Sequence, residues 1–285
     1  MKTDMKRLEG GTIELTMVIP WEEVEKTYEH VVSGIVQNSE LAGFRKGKAP
    51  RKLVEEKLNK GETYEEVLKK IIPHAYDSAL REQKLHPVVT PKIELKEATE
   101  KKDWVIRATT CEKPEIQMGD YKKAIADLKA SKHKKIWLPG EKVAKEEKPE
   151  EQKPTLDQLL TTLAKSVRVT LPALLIEHEV NRLLSDLIDQ TKKLGLTVEQ
   201  YLSSTGRTGE SIRREYEEQA KRTLTLEFAL EKIADTESIF VSDDDIDTDI
   251  KTAKTDEEKK SLEGQRYYVA SVLRRQKTLD FLATL

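Results

Sequence analysis

Cysteine is nearly missing from this chain. Among 285 residues Cys111 stands alone, which excludes an intrachain disulfide framework and leaves no pair of thiolates for a metal or redox site. A reducing compartment is the expectation. Aromatic residues are scarce too, at 5% with four Phe and three Trp. This weighs against an all-β or aromatic-rich globule, while a charged fraction of 36% favours amphipathic helices. No run approaches the roughly 18 apolar residues of a membrane span. The first twenty residues carry Lys2, Asp4, Lys6, Arg7 and Glu9 where a secretory signal would need an apolar stretch. A soluble, cytoplasmic protein without membrane contact is therefore expected. Charge of one sign is also lacking: 50 Lys and Arg against 52 Asp and Glu leave a net of -2, so any electrostatic targeting must be local.

What is present falls into two halves. Residues 12–19 alternate so that Ile13, Leu15, Met17 and Ile19 share one face, the period of a half-buried strand. After Pro20 the period changes, and Val24, Tyr28, Val31 or Val32, and Ile35 recur at helical steps through residues 21–37 behind an acidic first turn. A second helix is expected from Pro50 to about Asn59, with Pro50 at its first position. A third is expected over residues 62–84, with a kink at Pro73. Residues 88–96 and 103–111 carry β-branched and aromatic content and read as a hairpin. Residues 1–117 thus predict a β-α-α-α-β-β order, an α+β domain with an antiparallel sheet. Residues 118–154 are dominated by Lys and Glu, with a short helix at 121–133 at most, and read as a charged linker. Residues 155–285 predict an all-α domain with helices over 155–169, 172–194, 197–203, 209–235, 242–253 and 256–283. The whole is expected to be elongated and mostly helical.

The sharpest concentration of charge lies in residues 43–60, where Arg45, Lys46, Lys48, Arg51, Lys52, Lys57 and Lys60 face only Glu55 and Glu56. Within it, Phe44 sits beside Arg45 and Lys46 between Gly43 and Gly47, which permit a tight excursion. Cations that pair with carboxylates or phosphates, next to one apolar anchor, suit an interface. The blander alternative is a solvated turn with Phe44 folded back onto the helices. A P-loop is rejected, because three residues rather than four separate the glycines and Ala49 replaces the Ser or Thr that would hold Mg²⁺. Asp243, Asp245, Asp247 and Asp249 alternate like the start of an EF-hand, but the loop lacks its turn glycine and has Lys254 at the twelfth position, so charge at a helix N-terminus is the better reading. The histidines are scattered without ligand spacing. The basic run from Lys122 to Lys135, near Trp137, reads as solvated linker more readily than as an RNA contact. No catalytic set, cofactor site or metal site is expected.

Gly43-Phe44-Arg45-Lys46-Gly47-Lys48-Ala49-Pro50 matches every fixed position of the Gly-Phe-Arg-x-Gly-x-x-Pro signature of trigger factor, and on these residues the chain resembles that family of bacterial ribosome-associated chaperones. The second half adds Leu171-Pro172-Ala173-Leu174-Leu175, the stretch Gly195 to Leu202, Thr205-Gly206-Arg207-Thr208, and Lys277 to Leu282, all similar to the family's C-terminal helical domain. The resemblance departs in the middle, where the family usually carries an FKBP-type prolyl isomerase domain and residues 118–155 are too few to hold one.

The resemblance implies docking on the large ribosomal subunit near the exit tunnel, against protein and rRNA, through Gly43, Phe44, Arg45, Lys46, Gly47, Lys48 and Pro50. It also implies ATP-independent holding of unfolded nascent polypeptides by a cradle of the C-terminal helices and the N-terminal domain, and a weak homodimer off the ribosome. Isomerase activity is not carried over. The rivals are a prolyl isomerase with its activity in an unrecognised site, and an RNA-binding or assembly scaffold that uses the basic loop on free RNA.

Overall fold

The alternation of residues 12–19 builds the centre of a sheet. In the computed structural model, which describes residues 1–40, 44–133, 154–253 and 255–285, strand β2 (Thr12–Ile19) lies between β1 (Lys2–Arg7) and β4 (Trp104–Cys111). Strand β3 (Lys92–Glu97) completes an antiparallel sheet ordered β1-β2-β4-β3. Leu15 pairs with Ala108 and Met17 with Ile106, so residues of one parity stack on one face. That face is apolar: Ile13, Leu15, Met17, Ile19, Trp104, Ile106 and Ala108 are buried. Helices α1 (Trp21–Asn38) and α3 (Lys60–Gln83) supply Val24, Val31, Val67, Ile71 and Ala75 to the same core. Each large side chain buried there contributes about 1.5–3 kcal/mol. Tyr64 bridges Tyr28 and Trp104, with ring centroids 5.2 and 5.6 Å apart.

Strand β1 is an addition to the expected order. Its Lys-Thr-Asp-Met-Lys-Arg sequence has one large apolar residue, because an edge strand needs little burial and gains from charge. The turn into β2 uses Gly10 and Gly11 at positive φ. Helix α3 is uninterrupted and includes Pro73; Asn59 caps it by accepting the Gly61 N–H at 3.0 Å. The second helix is shorter than the pattern suggests: α2 spans Arg51–Glu55, with Pro50 at the N-cap rather than inside.

Two compact units emerge, Met1–Lys113 with Pro172–His178, and Pro114–Leu171 with Glu179–Leu285. In the second, β5 (Ile116–Met118) leads into α4 (Tyr121–His133). Tyr121 and Ile125 of α4 are buried with Leu159 and Leu163 of α5 (Leu156–Ser166) and with Ala229, Leu230 and Ile233. Residues 118–133 therefore pack as part of this unit, where a linker was predicted; the remainder of that stretch, 134–153, lies outside the described residues. The helix predicted over 155–169 ends at Ser166, and Val167–Val169 forms strand β6, paired with β5. Two β-branched residues alternating about Arg168 favour the extended form. Gly119 permits the pairing to close, since its N–H donates to the Ser166 carbonyl at 2.9 Å and a Cβ there would stand 2.6 Å from that oxygen.

The remaining elements are helices: α6 (Ala173–Lys193), α7 (Val198–Thr205), α8 (Gly209–Thr236), α9 (Asp243–Lys251), α10 (Asp256–Gly264) and α11 (Arg266–Thr284). Reciprocal capping boxes start α5 and many of these helices, with Thr155 and Gln158, Thr197 and Gln200, Thr208 and Ser211, Ser242 and Asp245, and Thr255 and Glu258 satisfying otherwise orphaned donors. The single helix predicted over 256–283 is two, broken where Gln265 leaves helical geometry at φ -121°, ψ 32°. Among the described residues, no helix is long and apolar enough to cross a membrane.

Candidate functional site

The loop between α1 and α2 is held on both sides of its tip. Ser39 closes α1, its hydroxyl donating to the Val36 carbonyl at 2.9 Å, and its own carbonyl accepts the Gly47 N–H at 3.1 Å. The Lys48 N–H donates to the Arg45 carbonyl at 2.9 Å, closing a four-residue turn with Gly47 in its third place at φ +73°. A side chain at Gly47 is excluded twice, by that backbone angle and because a Cβ would lie 2.6 Å from the Gln37 carbonyl oxygen. Beyond the turn, Ala49 is buried, the Pro50 carbonyl accepts from the Leu53 N–H at 3.0 Å, and Val54 is buried.

At the tip, Phe44 is 42% exposed and does not fold back into a core. Arg45, Lys46, Lys48 and Pro50 are exposed, and Gly47 is half-buried. Gly43 lies outside the described residues. Among the described residues no carboxylate pairs with Arg45, Lys46 or Lys48, whereas other cations of the same segment are engaged. Arg51 bridges Glu29 of α1 and Glu55 of α2, whose hydrogen bonds, that of Glu55 foremost, raise its pKa above the ordinary arginine value. Lys60 stands 3.9 Å from Glu100. The structure thus brings onto one loop an exposed aromatic ring and three cations that have no carboxylate partner among the described residues, able to neutralise carboxylates or phosphates while the ring supplies apolar contact.

The second unit carries a different surface. A groove of about 690 Å³ runs beside α8 and α11 and is lined by Leu230, Phe240, Val241, Tyr267, Ala270 and Thr278, among others. Phe240 is 73% exposed and Tyr267 91%, and Tyr268 and Val272 are exposed nearby on α11. Paired charges edge it: Arg274 reaches Asp235 at 2.6 Å and Arg275 reaches Glu227 at 2.8 Å. Sequence reasoning missed this surface, because apolar residues on an amphipathic helix look alike whether they face a core or a solvent groove.

Other features named from the sequence have local roles. Lys122 pairs with Glu237 at 2.7 Å and lies over the Phe281 ring at 5.9 Å, while Lys129 donates to the Ala283 carbonyl at 2.7 Å. These lysines are spent within the unit; Lys134, Lys135 and Trp137 fall outside the described residues. Asp243 and Asp245 belong to the first turn of α9. Asp245 accepts from Lys277 at 2.6 Å and from the Ser242 N–H at 2.8 Å, and these bonds, with Lys277 first, hold its carboxylate down to about 2. Asp247 accepts from Arg266 at 2.6 Å. These aspartates hold helices together.

A family model described as bacterial trigger factor protein matches residues 1–147, and a second, described as the C-terminus of the same protein, matches residues 126–284. Trigger factors of Staphylococcus epidermidis and Staphylococcus aureus are each 31% identical to this chain over 122 residues, 43% of it. The matched stretch spans only 28% of the length of either relative. A solved structure from work on promiscuous substrate recognition by the trigger factor chaperone in folding and assembly covers 100% of this chain and 99% of its own, with a TM-score of 0.65 at 16% identity. That last likeness concerns the fold.

Proposed function

The chain belongs to the trigger factor family, and from that premise we propose that it is an ATP-independent, cytoplasmic chaperone that docks on the large ribosomal subunit near the nascent-chain exit and holds unfolded polypeptides. The observation that carries this reading is the tip of residues 44–48, where exposed Phe44 stands among Arg45, Lys46 and Lys48, which have no carboxylate partner among the described residues. A loop anchored at Ser39, Gly47 and Ala49 presents those groups with little ordering cost on contact. rRNA phosphates and acidic side chains of ribosomal proteins are the complementary chemistry. Pro50 and Gly47 shape the loop, and Phe44, Arg45, Lys46 and Lys48 make the contacts.

Holding is assigned to the second unit, and the Phe240 and Tyr267 groove supports that assignment. A partly polar, open groove binds apolar segments weakly, and docking offsets the weakness by keeping the protein at high effective concentration beside emerging chains. Release then follows from the folding of the client itself. The two family matches overlap over residues 126–147, which supports a chaperone acting without an inserted isomerase domain.

Co-sedimentation with ribosomes tests the docking half. The Phe44→Ala/Arg45→Ala/Lys46→Ala variant is expected to lose pelleting and keep its suppression of the aggregation of a denatured client. A Phe240→Ser/Tyr267→Ser variant is expected to do the reverse. Equal pelleting of wild type and triple variant removes the docking claim. Wild-type binding should also weaken as salt rises, because part of it is electrostatic.

A further inference from the structure

Seven cations crowd residues 43–60, and charge alone would count all of them toward docking. Arg51 is different in geometry. It is the first residue of α2, its Nη2 donates to Glu29 Oε2 on α1, and its Nε donates to Glu55 Oε1 one turn further along α2. One guanidinium therefore ties together the two helices that enter and leave the tip. The planar fork of arginine can serve two carboxylates at once, which a lysine ammonium does less well. Between the tied helices lies the second fastening, the Gly47 N–H on the Ser39 carbonyl at 3.1 Å.

We propose that Arg51 is a positioning residue that, with Glu29, clamps α1 to α2 and holds the tip of residues 44–48 in its docking shape, and that it is not itself a docking cation. The inference rests on the docking reading above. Arg51 and Glu29 are both substantially exposed, with 44% and 53% of their side chains accessible, so their pairing adds little to global stability. Its effect is confined to how often the loop is found in the shape that binds, which appears directly in affinity.

The two roles predict opposite signs for one substitution. Glu29→Gln makes the surface beside the tip more positive by one charge. If Arg51 were a docking cation, freeing it would tighten ribosome binding; if it is a clamp, binding weakens. Titration of purified ribosomes at fixed salt is expected to show Glu29→Gln and Arg51→Lys each weakening binding about two- to five-fold, and the double variant no more than the worse single one. Off the ribosome, the Gly47 amide should exchange faster in both variants while the thermal melt stays unchanged, a pattern that general destabilisation would not give. Tighter or unchanged binding by Glu29→Gln, or full retention by Arg51→Lys, overturns the clamp. Wild-type affinity in the Phe44→Ala/Arg45→Ala/Lys46→Ala variant removes the docking reading itself, whereas wild-type affinity in Glu29→Gln beside a defective triple variant removes the clamp alone.

Discussion

Gly47 carries a tight local constraint in the loop between α1 and α2. Its φ of +73° and the 2.6 Å approach of a would-be Cβ to the Gln37 carbonyl act together, so Gly47→Ala must shift backbone rather than rotate a side chain. The cost to the closed loop is about 1–3 kcal/mol. The expected readouts are rapid hydrogen exchange of the amide at position 47 and weakened ribosome pelleting, with the sheet core unaffected; unchanged exchange would contradict the assigned geometry. The place of Gly47 was legible in the sequence, because a glycine following an aromatic and two cations announces a tight turn. Arg51 was not. Its partner Glu29 lies 22 positions away, and no local spacing reveals which of many glutamates a guanidinium will meet once α1 and α2 are folded together.

At the scale of the element, the helices of the second unit depend on polar caps as much as on their apolar stripes. Asp245 caps α9 and at the same time reaches Lys277 of α11. Its carboxylate is held at about 2, below the ordinary 3.8. The contribution of that contact is complete above about pH 4 and is lost as pH falls toward 2, since the unfolded chain takes up the proton first. Lys277→Met removes the leading cause of the depression and should raise the pH at which the second unit begins to unfold in acid, followed by circular dichroism. An acid transition identical to wild type would show the contact to be idle.

Element by element, legibility followed burial. Strand β2 and helices α1 and α3 were readable because one face of each is buried and the other wet. Strand β1 escaped, since an exposed edge strand such as residues 2–7 has no apolar face to betray it. Helix α4 was half-hidden: Tyr121 and Ile125 are correctly spaced, but lysines between and after them lower the apolar density to that of a linker. The break at Gln265 leaves no trace in the apolar period, and just beyond it Val269 packs with Ile246 and Ile250.

For the whole molecule, separate apolar clusters in the two units imply that damage in one need not spread evenly. Trp104 is buried in the first unit and Ile233 in the second. Replacing either by Ala removes enough buried surface to cost about 2–5 kcal/mol locally. Cys111 is a native reporter for the first unit: it is fully buried in β4, and burial pushes its thiol up to about 11, so labelling requires the sheet to open. Trp104→Ala should therefore accelerate Cys111 labelling strongly, whereas Ile233→Ala should lower the calorimetric transition of the second unit with a smaller effect on labelling. Equal acceleration by both substitutions would mean that the units unfold as one.

The first unit is not continuous in sequence, because residues 172–178 join it only after the chain has passed through residues 114–171. Synthesis runs from the N-terminus, and domains ordinarily fold as they emerge. Here the first unit stays unfinished until part of its neighbour has been made, its last piece being the start of α6, where a Cβ added at Gly11 would stand 3.5 Å from the Pro172 ring and His178 lies 3.1 Å from the Thr90 carbonyl. A protein proposed to shelter half-made chains thus spends a stage of its own birth as one, with its first unit waiting for a segment still inside the tunnel.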